Sequence, residues 1–240
     1  MRTLLHSALL AVGLSVLPVA AGLAAGPAGE ITHVSGAVVA QKADGQSRVL
    51  SVKSAVNEGD VVATADNSYA RVKFSDGSEA VLRPSSQVKI DQFNFEEQKP
   101  QADGMVLSLL KGGFRSVTGL LGRRNPASMR VATPSATIGI RGTTFSALLV
   151  GEGGAGGAGG SADLPAGLHV EVSDGLIILQ NQGGSQQFSA GQFGFVPNAN
   201  TPPAIVPPNP AVQFTPPPAF FAPSGQAGGI GKSGGAACTI

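Results

Sequence analysis

Short apolar runs separated by turn residues dominate the chain from about residue 29 to residue 196. Several runs alternate apolar and polar side chains, as in Tyr69–Phe74 (YARVKF), which is the two-residue period of a half-buried strand. Sustained helical periodicity is absent, and only residues 116–124 are expected to form one helical turn. The pattern predicts an all-β domain of about twelve to sixteen short, mostly antiparallel strands, in a compact sandwich or roll with solenoid-like stacking.

Turn residues indicate how neighbouring strands connect. Asp76 and Gly77 lie between two strand-like runs and predict a tight hairpin turn with positive φ at the glycine. Asp174 and Gly175 separate HVEV from LIIL and predict a second turn of the same kind. The Gly-rich stretch 151–167 predicts a flexible loop that joins TTFSALLV to LHVEV, two neighbouring antiparallel strands.

The two ends differ in composition from the domain predicted for residues 26–197. In residues 1–25, Arg2 precedes an apolar stretch that ends in small residues, which predicts a cleaved signal peptide. The alternative is a membrane anchor, because residues 7–25 could nearly span a bilayer. Residues 198–240 are rich in Pro and Gly and predict a disordered tail. We therefore expect a periplasmic or secreted bacterial protein, with no stable membrane insertion after cleavage.

Several residue patterns resemble catalytic or ligand-binding motifs, but the sequence around each of them argues against that function. GEGGAG at 151–156 fits G-x-G-x-x-G, but more glycine and then Pro165 follow, so no helix can begin there. GKSGG at 231–235 lies in the predicted tail, where a serine cannot be held as a nucleophile. His33 and His169 have no second ligand at metal spacing. We expect no enzymatic activity, no cofactor and no metal site.

Charge is balanced overall but uneven along the chain. Without Arg2, 15 bases face 15 acids, so no nucleic-acid partner is expected. Between Asp103 and Glu152 there is no acid, yet there are six bases. Cross-strand pairing with the acidic segment 58–103 could neutralise them. Alternatively they form a patch for an anionic envelope polymer, with the candidate residues Lys111, Arg115, Arg123, Arg124 and Arg130.

In order along residues 30–197, the motifs resemble those of the FecR periplasmic domain. They include VSGAV, EGDVVAT, ARVKFSDGS, AVLRPSS, LKGGFR, TPSA, GIRGT, VSDGLI and AGQ. The positions that carry the resemblance at turns and corners are Asp76, Gly77, Thr133, Pro134, Gly139, Arg141, Gly142, Thr143, Asp174 and Gly175.

The resemblance implies regulation rather than catalysis. The best-known members of the family are membrane signal transducers that couple an outer-membrane receptor to a sigma factor. Here a predicted signal peptide and a Pro/Gly tail replace the flanking segments of those proteins, so we expect a stand-alone exported module. Its partner is expected to be an unidentified protein in envelope signalling or scaffolding, or alternatively an anionic envelope polymer bound by the stretch 111–141.

Arg141 stands in an otherwise apolar, Thr-rich run, between Gly139 and Gly142. We expect both glycines to adopt backbone conformations that a β-carbon would oppose, so that the chain turns or bulges there. The hypothesis for Arg141 is that its guanidinium hydrogen-bonds to a neighbouring turn and clips the fold together.

Overall fold

The computed structural model describes residues 26–151 and 164–214. The predicted signal peptide, most of the predicted Gly-rich loop and the last part of the predicted tail lie outside these residues.

The described residues form fifteen strands, which confirms the prediction of an all-β, mostly antiparallel fold. One short helix, α1 (Leu120–Arg124), lies where the single helical turn was expected, and two 3-10 turns span Pro100–Ala102 and Pro126–Ser128. The strands are β1 (Gly29–Ser35), β2 (Val38–Gln41), β3 (Ser47–Val49), β4 (Ala55–Val56), β5 (Val61–Thr64), β6 (Tyr69–Phe74), β7 (Glu79–Leu82), β8 (Gln87–Asn94), β9 (Gly104–Val117), β10 (Met129–Ala132), β11 (Thr137–Val150), β12 (Gly167–Asn181), β13 (Gly184–Ser189), β14 (Phe193–Val196) and β15 (Ala204–Val206).

Three strands are long, and each belongs to two layers. Residues 104–111 of β9 pair with β8 and β10, whereas residues 112–117 pair with β7 and β11. β11 and β12 also have different partners in their two halves. The strand order of the first layer is β3-β2-β5-β8-β9-β10-β11-β12-β13. That of the second layer is β4-β1-β6-β7-β9-β11-β12-β14-β15. One apolar core contains buried side chains from both layers, including Leu107 and Ile138 of the first and Phe114 and Phe145 of the second.

Glycines mark the points where the long strands pass from one layer to the other. Gly112 in β9, Gly142 in β11 and Gly175 in β12 have φ values of 70°, 60° and 79°. A β-carbon on Gly175 would lie 2.4 Å from the carbonyl oxygen of Gly142, so the close approach of the two backbones requires glycine there. The sheet register shifts beside this contact, as at a β-bulge.

Asp174 and Gly175 do not form the predicted hairpin. β12 continues through both residues and pairs with β11 on either side of them. The same Asp-Gly chemistry that closes a two-residue turn supplies the positive φ of a bulge here, because β11 is long enough to pair with both halves of β12.

Two other predicted connections are confirmed. Asp76 and Gly77 lie in the turn between β6 and β7, and Gly77 has a φ of 83°. β11 and β12 are antiparallel neighbours across the Gly-rich stretch, with Val150 opposite Gly167.

The buried carboxylate of Asp76 connects this hairpin to α1. It accepts hydrogen bonds from the Ser78 amide (3.0 Å), the Ser78 hydroxyl (2.6 Å) and the Leu121 amide (3.3 Å). The Ser78 hydroxyl oxygen also accepts the Gly119 amide at 2.8 Å. The turn therefore orients the chain that leaves β9.

The sheet continues beyond residue 197, into the segment for which composition predicted a tail. Residues 198–214 are ordered, with β15 paired to β14, and we call residues 204–214 the strap. Proline stops a segment from forming a central strand but permits an extended edge strand, and the strap also carries apolar side chains. Composition alone suggested a tail, whereas the outer face of the second layer supplies a surface on which this segment packs.

Two apolar side chains anchor the strap. Val212 packs with Leu148, Val150 and Phe193 on the outer face of the second layer. Phe214 stacks on Tyr69, with ring centroids 6.0 Å apart. The Arg83 guanidinium lies over the ring of Phe214 at 5.4 Å and donates to the Ala211 carbonyl at 3.1 Å. The strap therefore links β6 and β7 to β11 and β14.

Candidate functional site

The outer side of the first layer presents a sheet face that no other described strand covers. From β13 to β9, directly opposed residues lie on the same side of the sheet, and in β11 the outward positions alternate with the buried Ile138 and Ile140. We define the open face by thirteen outward residues: Ser185, Gln187 and Ser189 of β13, Leu176, Ile178 and Gln180 of β12, Thr137, Gly139 and Arg141 of β11, Arg130 and Ala132 of β10, and Val106 and Ser108 of β9.

Only Arg130 and Arg141 are charged among these thirteen residues. The rest contribute amides, hydroxyls and small or half-buried apolar side chains. An acid lies beyond the face on β8, where Asp91 is 2.7 Å from Lys89 Nζ and accepts the Ser108 hydroxyl at 2.5 Å. Burial favours a raised pKa for Asp91, but these hydrogen bonds outweigh it and lower the pKa, so the carboxylate remains ionised and paired.

Arg130 and Arg141 line one surface cavity of about 350 Å³. Arg130 is directly opposite Gly139, and Arg141 is two residues further along the same side of β11. Diagonal neighbours of this kind are about 7–8 Å apart. Thr137 and Gln180 also line the cavity, and no acid does.

Arg141 does not act as the predicted clip. Its side chain is exposed and makes no hydrogen bond or ion pair with any residue that the structure describes. The alternation Thr137, Ile138, Gly139, Ile140, Arg141 explains why: in a strand it places the arginine on the side opposite the two buried isoleucines. This signal was present in the sequence.

Two threonines clip the corner instead. The Thr143 hydroxyl donates to the Leu176 carbonyl at 2.6 Å and accepts the Leu176 amide at 3.1 Å. The Thr118 hydroxyl does the same for Thr143, donating to its carbonyl at 2.7 Å and accepting its amide at 3.1 Å. Each hydroxyl thus replaces strand-to-strand hydrogen bonds where the register shifts.

The backbone conformation favours glycine at position 142 but not at position 139. Gly142 has a positive φ, as expected, but the φ of Gly139 is not in the left-handed region. A β-carbon on Gly139 would meet nothing nearer than the Ile178 carbonyl oxygen at 3.7 Å, an ordinary contact. Neither backbone strain nor packing requires a glycine, so the prediction for Gly139 is wrong. Its effect is an open floor between Arg130 and the side chains of β12.

The other bases of the candidate patch do not line this cavity. Arg124 donates to the Glu97 carbonyl at 2.8 Å, lies 3.7 Å from the buried Asp103 carboxylate and stacks over Phe95. Arg115 donates to the Ser173 hydroxyl at 3.3 Å, on the second-layer part of β9. Lys111 and Arg123 are exposed, on β9 and α1.

Pairing between the acidic and basic segments is limited. Of the ion pairs between described residues, Arg124–Asp103 joins the two segments, whereas Arg71–Glu79 and Lys89–Asp91 lie within the acidic one. Thr133 and Pro134 lie in the turn between β10 and β11, where the Thr133 hydroxyl donates to the Ala136 carbonyl at 2.7 Å. That turn sets the register that places Arg130 opposite Gly139.

A second, apolar cavity of about 280 Å³ lies beside the strap, lined by Phe193, Phe195, Val206, Pro207 and His169 among others. The buried His169 ring stacks on Phe195 at 4.6 Å. Its Nε2 is 2.8 Å from the Pro165 carbonyl oxygen, so this nitrogen carries the proton and Nδ1 is the acceptor. Within the described residues no three His, Cys, Asp or Glu side chains are grouped as metal ligands would be.

His169 makes stability depend on pH. Burial lowers its pKa below the ordinary value of 6.5, and the hydrogen bond to Pro165 opposes this only in part. As pH falls below 6.5, the His169 side chain is therefore protonated in the unfolded chain before it is protonated in the folded one. The contribution of His169 to the free energy of unfolding is complete above pH 6.5 and is lost as pH falls towards the lowered pKa of the folded state. We expect denaturant unfolding from about pH 8 to pH 5 to show a larger loss for the wild type than for His169→Gln, which retains a donor for Pro165. Parallel curves for the two proteins would contradict this role.

The sheet ends at four strands, and β13 is the longest of them. It pairs only with β12 among the described strands. The Ser189 amide and carbonyl bond to Gln192 rather than to β12, so by alternation the amides of Gln187 and Ser185 also point to the free edge. β13 has no proline and no charge, the usual protections of an edge strand.

The other three ends are short. β3, β4 and β15 contain three, two and three residues. Prolines flank β15 at Pro203 and Pro207, and proline has no amide to offer a further strand. The described helix is too short to cross a lipid bilayer.

Comparison with known proteins places these features in a family. The model of the FecR protein family matches residues 60–177, within the span of the predicted resemblance. That match contains the Asp76 turn, the β9–β11–β12 corner and both arginines of the open face. A search of the curated proteins found no matching sequence.

Similar solved structures include two crystal structures assigned as an anti-sigma factor from Parabacteroides distasonis ATCC 8503. They are 13% and 12% identical, with TM-scores of 0.45 and 0.44, and in each comparison 61% of this chain aligns with 58% of the other. The chain thus spans less than two thirds of their length. A structure described as a cell surface anchoring domain is 31% identical over 27% of this chain and 86% of its own, with a TM-score of 0.26. On the family match, residues 60–177 of this chain form a FecR domain.

Proposed function

We propose that this chain is a non-enzymatic regulatory module of the bacterial envelope that binds a protein partner in the periplasm or at the cell surface. Its FecR domain, residues 60–177, supports a regulatory role. The predicted signal peptide supports an envelope location. The observation that carries the proposal is the outer edge of β13, which no described strand pairs and which offers backbone groups to a further strand.

β13 suits strand addition in length and chemistry. Six residues provide three edge-facing positions, Ser185, Gln187 and Ser189, and their side chains belong to the open face. A partner strand would gain backbone hydrogen bonds at the edge and side-chain contacts on this face. Gln192 occupies the edge at Ser189, which restricts new pairing to the part of β13 nearer Gly184.

Site-specific crosslinking tests the edge in the bacterium that carries the gene. A photo-crosslinking residue at position 185 is expected to yield one defined protein adduct, whereas the same residue at position 49, on β3 and 79% exposed in the native protein, is expected to yield none. Gln187→Pro removes an amide that points to the edge, so we expect the adduct to be lost. Gln187→Ala keeps the amide and should keep the adduct.

Thermal unfolding of both Gln187 variants controls for folding. We expect similar midpoints, because position 187 donates nothing to β12. An adduct that survives Gln187→Pro, or the absence of any adduct at position 185, would overturn the proposed edge contact.

A second candidate function is binding of an anionic envelope polymer. The sequence suggested the whole stretch 111–141 for this role. The observation that favours it is narrower: Arg130 and Arg141 share one acid-free cavity.

A further inference from the structure

We propose that the cavity between Arg130 and Arg141 binds an acidic sugar unit, with the two guanidinium groups holding its carboxylate. This inference rests on the second candidate function and is independent of the protein contact at β13.

The charge in the cavity is uncompensated. Neither guanidinium group forms a hydrogen bond or ion pair with a described residue, and the described residues of the cavity and the open face include no acid. Each guanidinium offers five donors in a planar fork that matches a carboxylate. At about 7–8 Å between diagonal positions, both side chains can reach one anionic group or two adjacent ones.

The shape of the cavity provides room for a ring beside that charge. Gly139 lies directly opposite Arg130 and has no side chain, although its φ and its surroundings would accept one. The missing side chain leaves a flat floor between Arg130 and Ile178. Thr137 and Gln180 line the same cavity, and their hydroxyl and amide groups can both donate to and accept from sugar hydroxyls.

Two other anionic partners fit less well. The site lies in the middle of a sheet, where backbone amides and carbonyls are already paired with neighbouring strands, so a peptide main chain finds no partner there. A lipid surface would require exposed apolar side chains, but those of the described residues lie elsewhere, at Val49, Val52, Leu110, Val117, Leu120 and Ile205. A polar ring with a carboxylate is the class that remains.

Titration calorimetry of the full chain with oligogalacturonate, a polymer of a sugar acid, tests the site. We expect binding that weakens with added salt, and a loss of affinity of about tenfold or more in Arg130→Gln/Arg141→Gln, because each guanidinium supplies charge-assisted hydrogen bonds. The matched control is Lys111→Gln/Arg123→Gln, which removes the same charge from exposed positions outside the cavity. Its affinity is expected to stay within about twofold of the wild type.

A second variant separates shape from charge. Gly139→Val fills the floor, suits a strand and leaves the net charge unchanged. We expect it to weaken oligogalacturonate binding by about tenfold while the unfolding midpoint is retained. Retention of affinity in Gly139→Val would overturn a site that depends on this floor.

Two further ligands test which class of anionic molecule the cavity binds. Polyglutamate and phosphatidylglycerol vesicles are expected to bind more weakly than oligogalacturonate and to show no dependence on Gly139. Equal binding of polyglutamate, equal loss in the two double variants, or no binding of oligogalacturonate at low salt would each overturn the proposal. Gln187→Pro leaves the cavity intact, so it is expected to bind the sugar polymer normally even where it loses its protein adduct.

Discussion

Replacing Val212 and Phe214 with alanine is expected to lower the free energy of unfolding by about 3–5 kcal/mol. Both side chains are buried, at 3% and 8% exposure. The double variant removes the strap's contacts with Leu148, Val150 and Phe193 and its stacking on Tyr69. For a domain of this size the loss corresponds to a decrease of about 10 °C in the melting temperature, measured by circular dichroism.

Ile205→Ala is the matched control for the strap. It removes an aliphatic side chain from the same segment, but one that is 52% exposed. We expect a change within about 0.5 kcal/mol. An equal effect of the control, or an unchanged melting temperature in the double variant, would show that residues 204–214 do not stabilise the domain.

Thr143→Val is expected to lower the free energy of unfolding by about 2–4 kcal/mol. Valine has nearly the same shape, so the change isolates the hydroxyl. Without it, the carbonyl and the amide of Leu176 both lose their partner at the point where β11 and β12 shift register. Denaturant unfolding at neutral pH measures the effect, and Thr118→Val is expected to act in the same direction because its hydroxyl has the matching role toward Thr143.

Arg141→Lys and Arg141→Gln are the controls for the corner. Both are expected to leave stability within about 0.5 kcal/mol of the wild type, because the exposed guanidinium holds no described group. If either arginine variant lowered the free energy of unfolding as much as Thr143→Val, Arg141 would stabilise the corner after all.

Local patterns predicted the strands and several of their connections. Alternation identified Tyr69–Phe74, and the Asp76-Gly77 turn follows from the positive φ that Gly77 adopts. The antiparallel pairing of β11 with β12 follows from two apolar runs separated by a Gly-rich stretch. In each case the information lies within a few residues of the feature.

What could not be predicted depends on a third strand or on distant surfaces. Asp174-Gly175 has the local chemistry of a hairpin turn, and only continuous pairing with β11 makes it a bulge. The composition of the strap is that of a linker, and only the folded second layer provides the surface on which Val212 packs.

The candidate site was predicted only in part. The sequence identified Arg130 as a patch residue and Arg141 as a corner residue, and of the five patch residues only Arg130 lines the cavity. The register of β10 against β11 brings these two together and leaves Arg115 and Arg124 with other contacts. Alternation around Gly139 indicated the exposure of Arg141, whereas the proximity of Gln180 depends on the pairing of β11 with β12.

The continuity of β9, β11 and β12 through both layers has a consequence for cooperativity. These three strands form hydrogen bonds in both layers. If one layer separates, it pulls on the same continuous strands that complete the other layer, so the other layer is disrupted as well. We expect the described residues of such an architecture to unfold as one unit, without a hinge between the two layers. A partner that binds at one face therefore meets a stiff body, and any message it transmits must pass through displacement of the whole domain rather than through closure of a cleft.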